Sequence, residues 1–276
     1  MARASFKDIS VRENAGIGTF LKKLKVQVRV IHALMLREML TRFGRENLGF
    51  FWLIGEPLIL TLGVIVLWSV TKGHLEGDVG IVPFVLTGYT LVTLFRHVVA
   101  RSVFCFRHNA GLMFHRNVHH VDTLISRAIL EIGGTGLSFL VAYLPLYLFG
   151  YVPLMYDPLL VIGGWFFMGW TSFGIGLILA GLSEMSEVAD RFVQPIMYLT
   201  IPLTGLFFMV SWLPEEGQSV VLYSPLVHAT EMLREGVLGN GVEAKWSFPF
   251  LVRSCLILTG IGLLTVKISR KYIKLE

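Results

Sequence analysis

Charge is what this sequence has least of. Of its 276 residues only 16% are Asp, Glu, Lys or Arg, against 54% hydrophobic, and the mean hydropathy is +0.67. A soluble domain carries about a quarter charged residues. The shortfall excludes a chain wrapped in a water-facing surface and points to one dissolved mostly in lipid. Cysteine is nearly absent as well. Cys105 and Cys255 fall in or beside apolar stretches, which excludes a disulfide framework and a thiolate metal site. No Gly-x-x-x-x-Gly-Lys-Ser/Thr phosphate loop occurs, so the chain lacks that means of holding ATP. The first 47 residues contain no apolar h-region, and no signal peptide is expected.

Long apolar runs are what is there. A hydrocarbon core about 30 Å thick takes roughly 20 apolar residues to cross as a helix. Six runs qualify: 49–71, 82–104, 124–149, 158–182, 192–212 and 248–267. The expected fold is therefore an all-α membrane protein with six transmembrane helices. Its parts are a cytoplasmic segment 1–48, a six-span domain 49–267 and a cytoplasmic tail 268–276.

Lysine and arginine set the orientation. Ten of them, from Arg3 to Arg45, precede the first run, and Lys267, Arg270, Lys271 and Lys274 follow the last. An even number of spans places both ends on one side, and the positive-inside bias makes that side cytoplasmic. Arg107, Arg116 and Arg191 then fall inside, while the connection 151–157 outside has no basic residue. The net charge of +5 serves this orientation, so no nucleic-acid partner is expected.

Ahead of the first span, Leu21, Leu24, Val28, Ile31, Met35 and Met39 recur at helical spacing, with Lys22, Lys25 and Arg29 on another face. This predicts an amphipathic helix lying in the interface, its basic face toward anionic headgroups. The alternative is a cytosolic helix packed on a partner. Between the fifth and sixth runs, 213–247 is too long for a plain turn. There Ser224 suits an N-cap, Pro225 the first helical position and Gly239 the far end. With Val220–Tyr223 this reads as short re-entrant helices on the external side.

Three stretches carry a resemblance. They are 33–52 with Arg42-Phe-Gly-Arg45, Leu48-Gly49 and Trp52, followed by Glu56-Pro57; 109–116 followed by 122–131; and Ser224-Pro-Leu-Val-His228 through Glu235. Together they resemble the ABC-2 type permeases of capsular polysaccharide export, the KpsM-like group, over nearly the whole chain. Two departures are Ser224, where the family usually has Asn, and Asn117-Val-His-His120, where it has a proline-containing segment. The resemblance implies a homodimer of six-span subunits with two copies of a separate ATPase subunit, which would hold the ATP and Mg. It also implies a lipid-linked capsular polysaccharide as cargo and periplasmic and outer-membrane export proteins as further partners. In the same way it makes 106–120 the coupling segment, with Leu112, Met113, Phe114 and Arg116 as ATPase-coupling candidates.

Arg96 is the most informative single residue. A charge within the second span costs about 2.5 kcal/mol or more, so a compensating role is expected. One reading is a cationic contact for an anionic glycan or its lipid end. The other is an ion pair with Glu56 or Glu131, which fall at similar depth. Arg101 lies near enough to the boundary to snorkel. His115 and His119, four apart, lack a third metal ligand nearby, and no metal site is expected. Tyr143, Trp165 and Trp170 offer flat faces to sugar rings, although aromatic residues also line membrane interfaces without any such role. On the external helix His228, Glu231 and Glu235 share one edge with Arg234 beside them. His228, Glu231 and Arg234 are candidates for an external gate or for a hydrogen-bonded structural edge. Hydrolysis of a glycosidic bond needs carboxylates on both sides of the bond, which one-turn neighbours do not supply.

Rival readings are an exporter of the same class for O-antigen, teichoic acid or a small drug, a membrane glycosyltransferase, and an ion-coupled carrier. A glycosyltransferase needs a cytosolic sugar-nucleotide site, and no cytosolic segment is large enough. A carrier needs repeated halves with broken helices, and none stands out.

Overall fold

The computed structural model describes residues 17–43, 48–71, 79–109, 111 and 118–272. Ten α-helices follow one another: α1 (Ile17–Phe43), α2 (Leu48–Thr71), α3 (Ile81–Ser102), α4 (Cys105–His108), α5 (His120–Leu148), α6 (Pro158–Met185), α7 (Glu187–Thr200), α8 (Glu215–Val221), α9 (Pro225–Leu238) and α10 (Phe248–Ser269). Among the described residues there is no strand. Five helices are long and apolar enough to cross a membrane: α2, α3, α5, α6 and α10.

The run 192–212, expected as one helical span, is not a single helix. Helix α7 ends at Thr200, a 3-10 turn covers Ile201–Thr204, Gly205 turns at φ +78°, and a second 3-10 turn covers Val210–Trp212. Proline explains the end of α7. Pro202 opens the 3-10 turn and removes a backbone donor where α7 stops, whereas α7 continues through Pro195. At 1.5 Å per residue the 14 residues of α7 reach about 21 Å, short of the hydrocarbon thickness.

Local chemistry sets the other ends. Asp157 accepts from the backbone N–H of Leu159 at 2.8 Å and Leu160 at 3.4 Å, and Pro158 opens α6. Asp122 returns a bond to the His119 N–H at 2.7 Å at the start of α5. Inside α3, Thr87, Thr90 and Thr93 each donate to the carbonyl four residues back, which spends hydroxyls that lipid would not satisfy.

Helices α3 and α6 are the most enclosed spans, whereas α2 and α10 lie at the periphery. Glycine permits the close packing on α6. A Cβ at Gly164 would stand 2.7 Å from the Leu233 backbone nitrogen on α9, and one at Gly174 would stand 2.8 Å from Leu258 on α10. Cys105 and Cys255 are free and buried.

Candidate functional site

Helix α3 carries a polar stripe along its least buried face. Tyr89, Thr93, Arg96, His97, Ala100 and Arg101 recur at three- and four-residue spacing and so share one face, and Phe104 follows just past the helix end. Two cavities open on that face, and Ala100 and Arg101 line both. The deeper one, about 290 Å³, is completed by Glu56 and Leu60 of α2 and by Gln194 and Met197 of α7. The broken seventh helix thus forms one wall of the polar cavity.

The acids in this region pair with residues other than Arg96. His97 Nδ1 lies 3.4 Å from Glu131, and its Nε2 lies 4.0 Å from Glu56. Arg101 Nε lies 3.7 Å from Glu131. Arg96 sits over the ring of Tyr198 on α7, 5.5 Å from its centroid. Of the two readings of Arg96, the ion pair with Glu56 or Glu131 is not what the structure holds. Among the described residues no carboxylate stands within ion-pair distance of Arg96, and its charge faces the cavity. His97, the hub of the cluster, was missed in sequence. The signal was its place four residues before Arg101 on the same stripe.

Past the end of α3, Arg107 of α4 reaches across to the α6–α7 junction. It lies 3.5 Å from Glu184 and 3.3 Å from Asp190, and it donates to the Ser183 carbonyl at 3.1 Å. The α3–α5 and α6–α7 connections are thereby tied together. Leu112, Met113, Phe114 and Arg116 lie outside the described residues.

The candidates of α9, His228, Glu231 and Arg234, are clasped inside the protein. Arg234 is fully buried, donates to the Phe208 carbonyl at 2.7 Å and the Leu206 carbonyl at 3.3 Å, and stands 4.1 Å above the Phe84 ring. Its Nη1 lies 3.7 Å from Glu231. The Glu231 carboxylate accepts from the backbone N–H of Val210 at 3.4 Å and of Lys245 at 3.2 Å. The pair thus receives backbone groups freed where the chain leaves its helix after Thr204. Burial pulls Arg234 down to about 10, which leaves it cationic at neutral pH. His228 accepts from the Ser247 N–H at Nδ1 and donates from Nε2 to the Leu222 carbonyl, both at 2.9 Å. Those two bonds specify the neutral ring, and burial pushes its pKa below the ordinary 6.5. Trp246 donates to Glu235.

The three aromatic candidates each hold helices or loops together. Tyr143 donates to the Pro153 carbonyl at 2.8 Å and accepts from the Met155 N–H at 2.9 Å, which fastens the α5–α6 connection. Trp165 donates to the Ile132 carbonyl at 3.2 Å, joining α6 to α5. Trp170 donates to Thr259 at 3.0 Å, joining α6 to α10.

Residues 29–238 match the family model described as ABC-2 type transporter. The capsule polysaccharide export inner-membrane protein BexB of Haemophilus influenzae is 34% identical over 249 residues, covering 90% of this chain and 94% of the relative. The capsule polysaccharide export inner-membrane protein CtrC of Neisseria meningitidis is 35% identical over the same length and coverage. The polysialic acid transport protein KpsM of Escherichia coli is 29% identical over 250 residues, covering 87% and 93% of the two chains. This chain belongs to the ABC-2 type transporter membrane family.

Proposed function

We propose that this chain is the membrane-spanning subunit of an ATP-driven exporter of capsular polysaccharide in a bacterial inner membrane. The observation that carries the reading is the polar stripe of α3, which lines a cavity open to one side of an otherwise apolar bundle and continues to the helix end. A bundle that only needed to be stable would not expose an arginine there. Similarity to capsule export proteins over nine-tenths of the chain supports the cargo class. In this reading both termini are cytoplasmic and α1 lies in the interface. The broken 187–212 segment is the fifth of six crossings, and α8 and α9 are re-entrant on the external side. Two copies of the chain pair with two copies of an ATPase subunit, and the cargo passes on to periplasmic and outer-membrane export proteins.

Arg96 contacts an anionic group of the passing glycan. The buried external clasp acts as a gate only by moving as a body, because its side chains have no spare face for sugar. Force from the ATPase enters through 106–120 and passes through Arg107 to α7. The test is export in cells whose only copy of this gene carries a substitution. Arg96→Ala abolishes surface glycan while the protein remains assembled in the membrane, and Arg96→Lys retains part of the export. Normal export by Arg96→Ala would sink the reading of the cavity. ATP hydrolysis by the purified chain alone would sink the division of labour.

A further inference from the structure

The second cavity on the α3 stripe lies at the helix end, between α1, α3, α4 and α5, and has a volume of about 460 Å³. That is ample for a small ligand group. Its polar wall comes from four separate elements: Arg37, Glu38 and Thr41 of α1, Arg101 of α3, His108 of α4 and Arg127 of α5. Three guanidinium groups converge there against one carboxylate of the wall, Glu38. Counting Glu131, which lies 3.7 Å from Arg101 and outside the cavity wall, the balance is still positive.

Arg127 is buried, and its Nη1 donates to the Arg101 carbonyl at 2.9 Å. Its Nε stands 3.2 Å from Glu38 but off the line of a hydrogen bond, so that donor is unsatisfied. A buried unsatisfied donor is uncommon and calls for an explanation. A second oddity borders the same space. Phe104, which lines the cavity, is held at φ +59° although it is not glycine. Such strain persists where the surrounding structure enforces it, and it gathers at ligand sites. Phe104, which lines this wall, and Leu40, next to Thr41 in sequence, are both exposed apolar side chains.

We propose that this pocket holds a phosphate group carried on a lipid, with the arginines on the phosphate oxygens and the acyl chains along the exposed apolar side chains. The chemistry selects it. Arginine forks match phosphate oxygens, and converging cations favour an anion over a neutral sugar. The apolar rim beside the charges selects a lipid-borne phosphate over a free one. The site differs from the Arg96 cavity and stands whether or not the chain exports a glycan.

The experiment uses the full chain in neutral detergent and measures binding of short-chain phosphatidylglycerol, short-chain phosphatidylcholine and inorganic phosphate. The expected order is phosphatidylglycerol well ahead of the other two. Arg37→Gln weakens phosphatidylglycerol binding about tenfold, the loss of one charge-assisted contact. Thr41→Trp fills the pocket without altering any charge and weakens it as much. Thr41 is exposed on α1, so that variant remains informative if Arg37→Gln fails to fold. Lys22 and Lys25 are exposed on α1 outside the pocket, and changing both to Gln leaves binding within twofold. Equal binding of phosphatidylcholine overturns the proposal, as does equal binding of inorganic phosphate. A loss in the Lys22 and Lys25 double variant matching that of Arg37→Gln, or unchanged binding in Thr41→Trp, overturns it too.

Discussion

Two charged clusters sit in apolar surroundings here, and they are built in opposite ways. Around Arg234 and Glu231 every charged side chain is sealed, and backbone groups from the broken segment supply most of the partners. Around Arg101, His97 and Glu131 the acids are paired, yet the cluster opens into cavities and leaves Arg96 facing one of them. The first arrangement secures a fold where helix gives way to irregular backbone. The second leaves charge available to something that comes and goes. Burial and closure by backbone partners, more than the presence of charge, separate the structural cluster from the candidate site.

The sharpest way to break this comparison is Arg234→Met. Removing one partner of a sealed pair leaves an uncompensated buried charge, a loss of about 3–5 kcal/mol. The expected outcome is little monodisperse protein in detergent by gel filtration; a yield and melting temperature like the parent's would place Arg234 among the dispensable charges. Gly88→Ala acts on the same clasp from α3. Its Cβ would stand 2.8 Å from Arg234 Nη2 and 3.3 Å from the Leu206 carbonyl. Overpacking of that kind costs about 1–3 kcal/mol, read as a lower melting temperature with the fold retained.

A smaller effect is expected from pH. Because burial holds the folded His228 below its ordinary 6.5, the unfolded chain binds a proton more readily. This stabilising contribution is therefore present above about pH 6.5 and is lost as pH falls below it. Melting temperatures measured from neutral pH down to mild acid should decline, and His228→Gln should flatten the decline; an equal slope in both proteins would refute the assignment. Least is expected from Glu56→Gln in the open cluster. Glu56 is 43% exposed and 4.0 Å from His97, and such pairs contribute at most about 1 kcal/mol. Its melting temperature should match the parent's, while a marked drop would make the open cluster structural as well.

Much of the fold was legible in the sequence, and the misses have physical causes. Hydropathy counts side chains, so 192–212 read as a span although Pro195, Pro202 and Gly205 all lie in it. The backbone hydrogen bonds those residues disrupt are invisible to a hydropathy sum. Helix α9 was read with its boundaries because proline at its start and glycine past its end act locally. The depth of Arg96, Glu56 and Glu131 was also legible, since it follows from counting residues along three runs. Their pairing was not, because it depends on how three helices are rotated about their own axes. His97 was passed over for that reason, and Arg127 and Glu38 were read only as parts of family-like stretches.

The break after Thr204 bears on how the chain is made. A newly synthesised helix can move from the translocation channel into lipid because its backbone satisfies itself. The 201–212 stretch cannot, since its carbonyls at Leu206 and Phe208 and its amide at Val210 are met by Arg234 and Glu231, which emerge later. The ribosome must therefore deliver α9 before this segment can settle. The 201–212 stretch and α9 settle as one cooperative unit rather than one after the other.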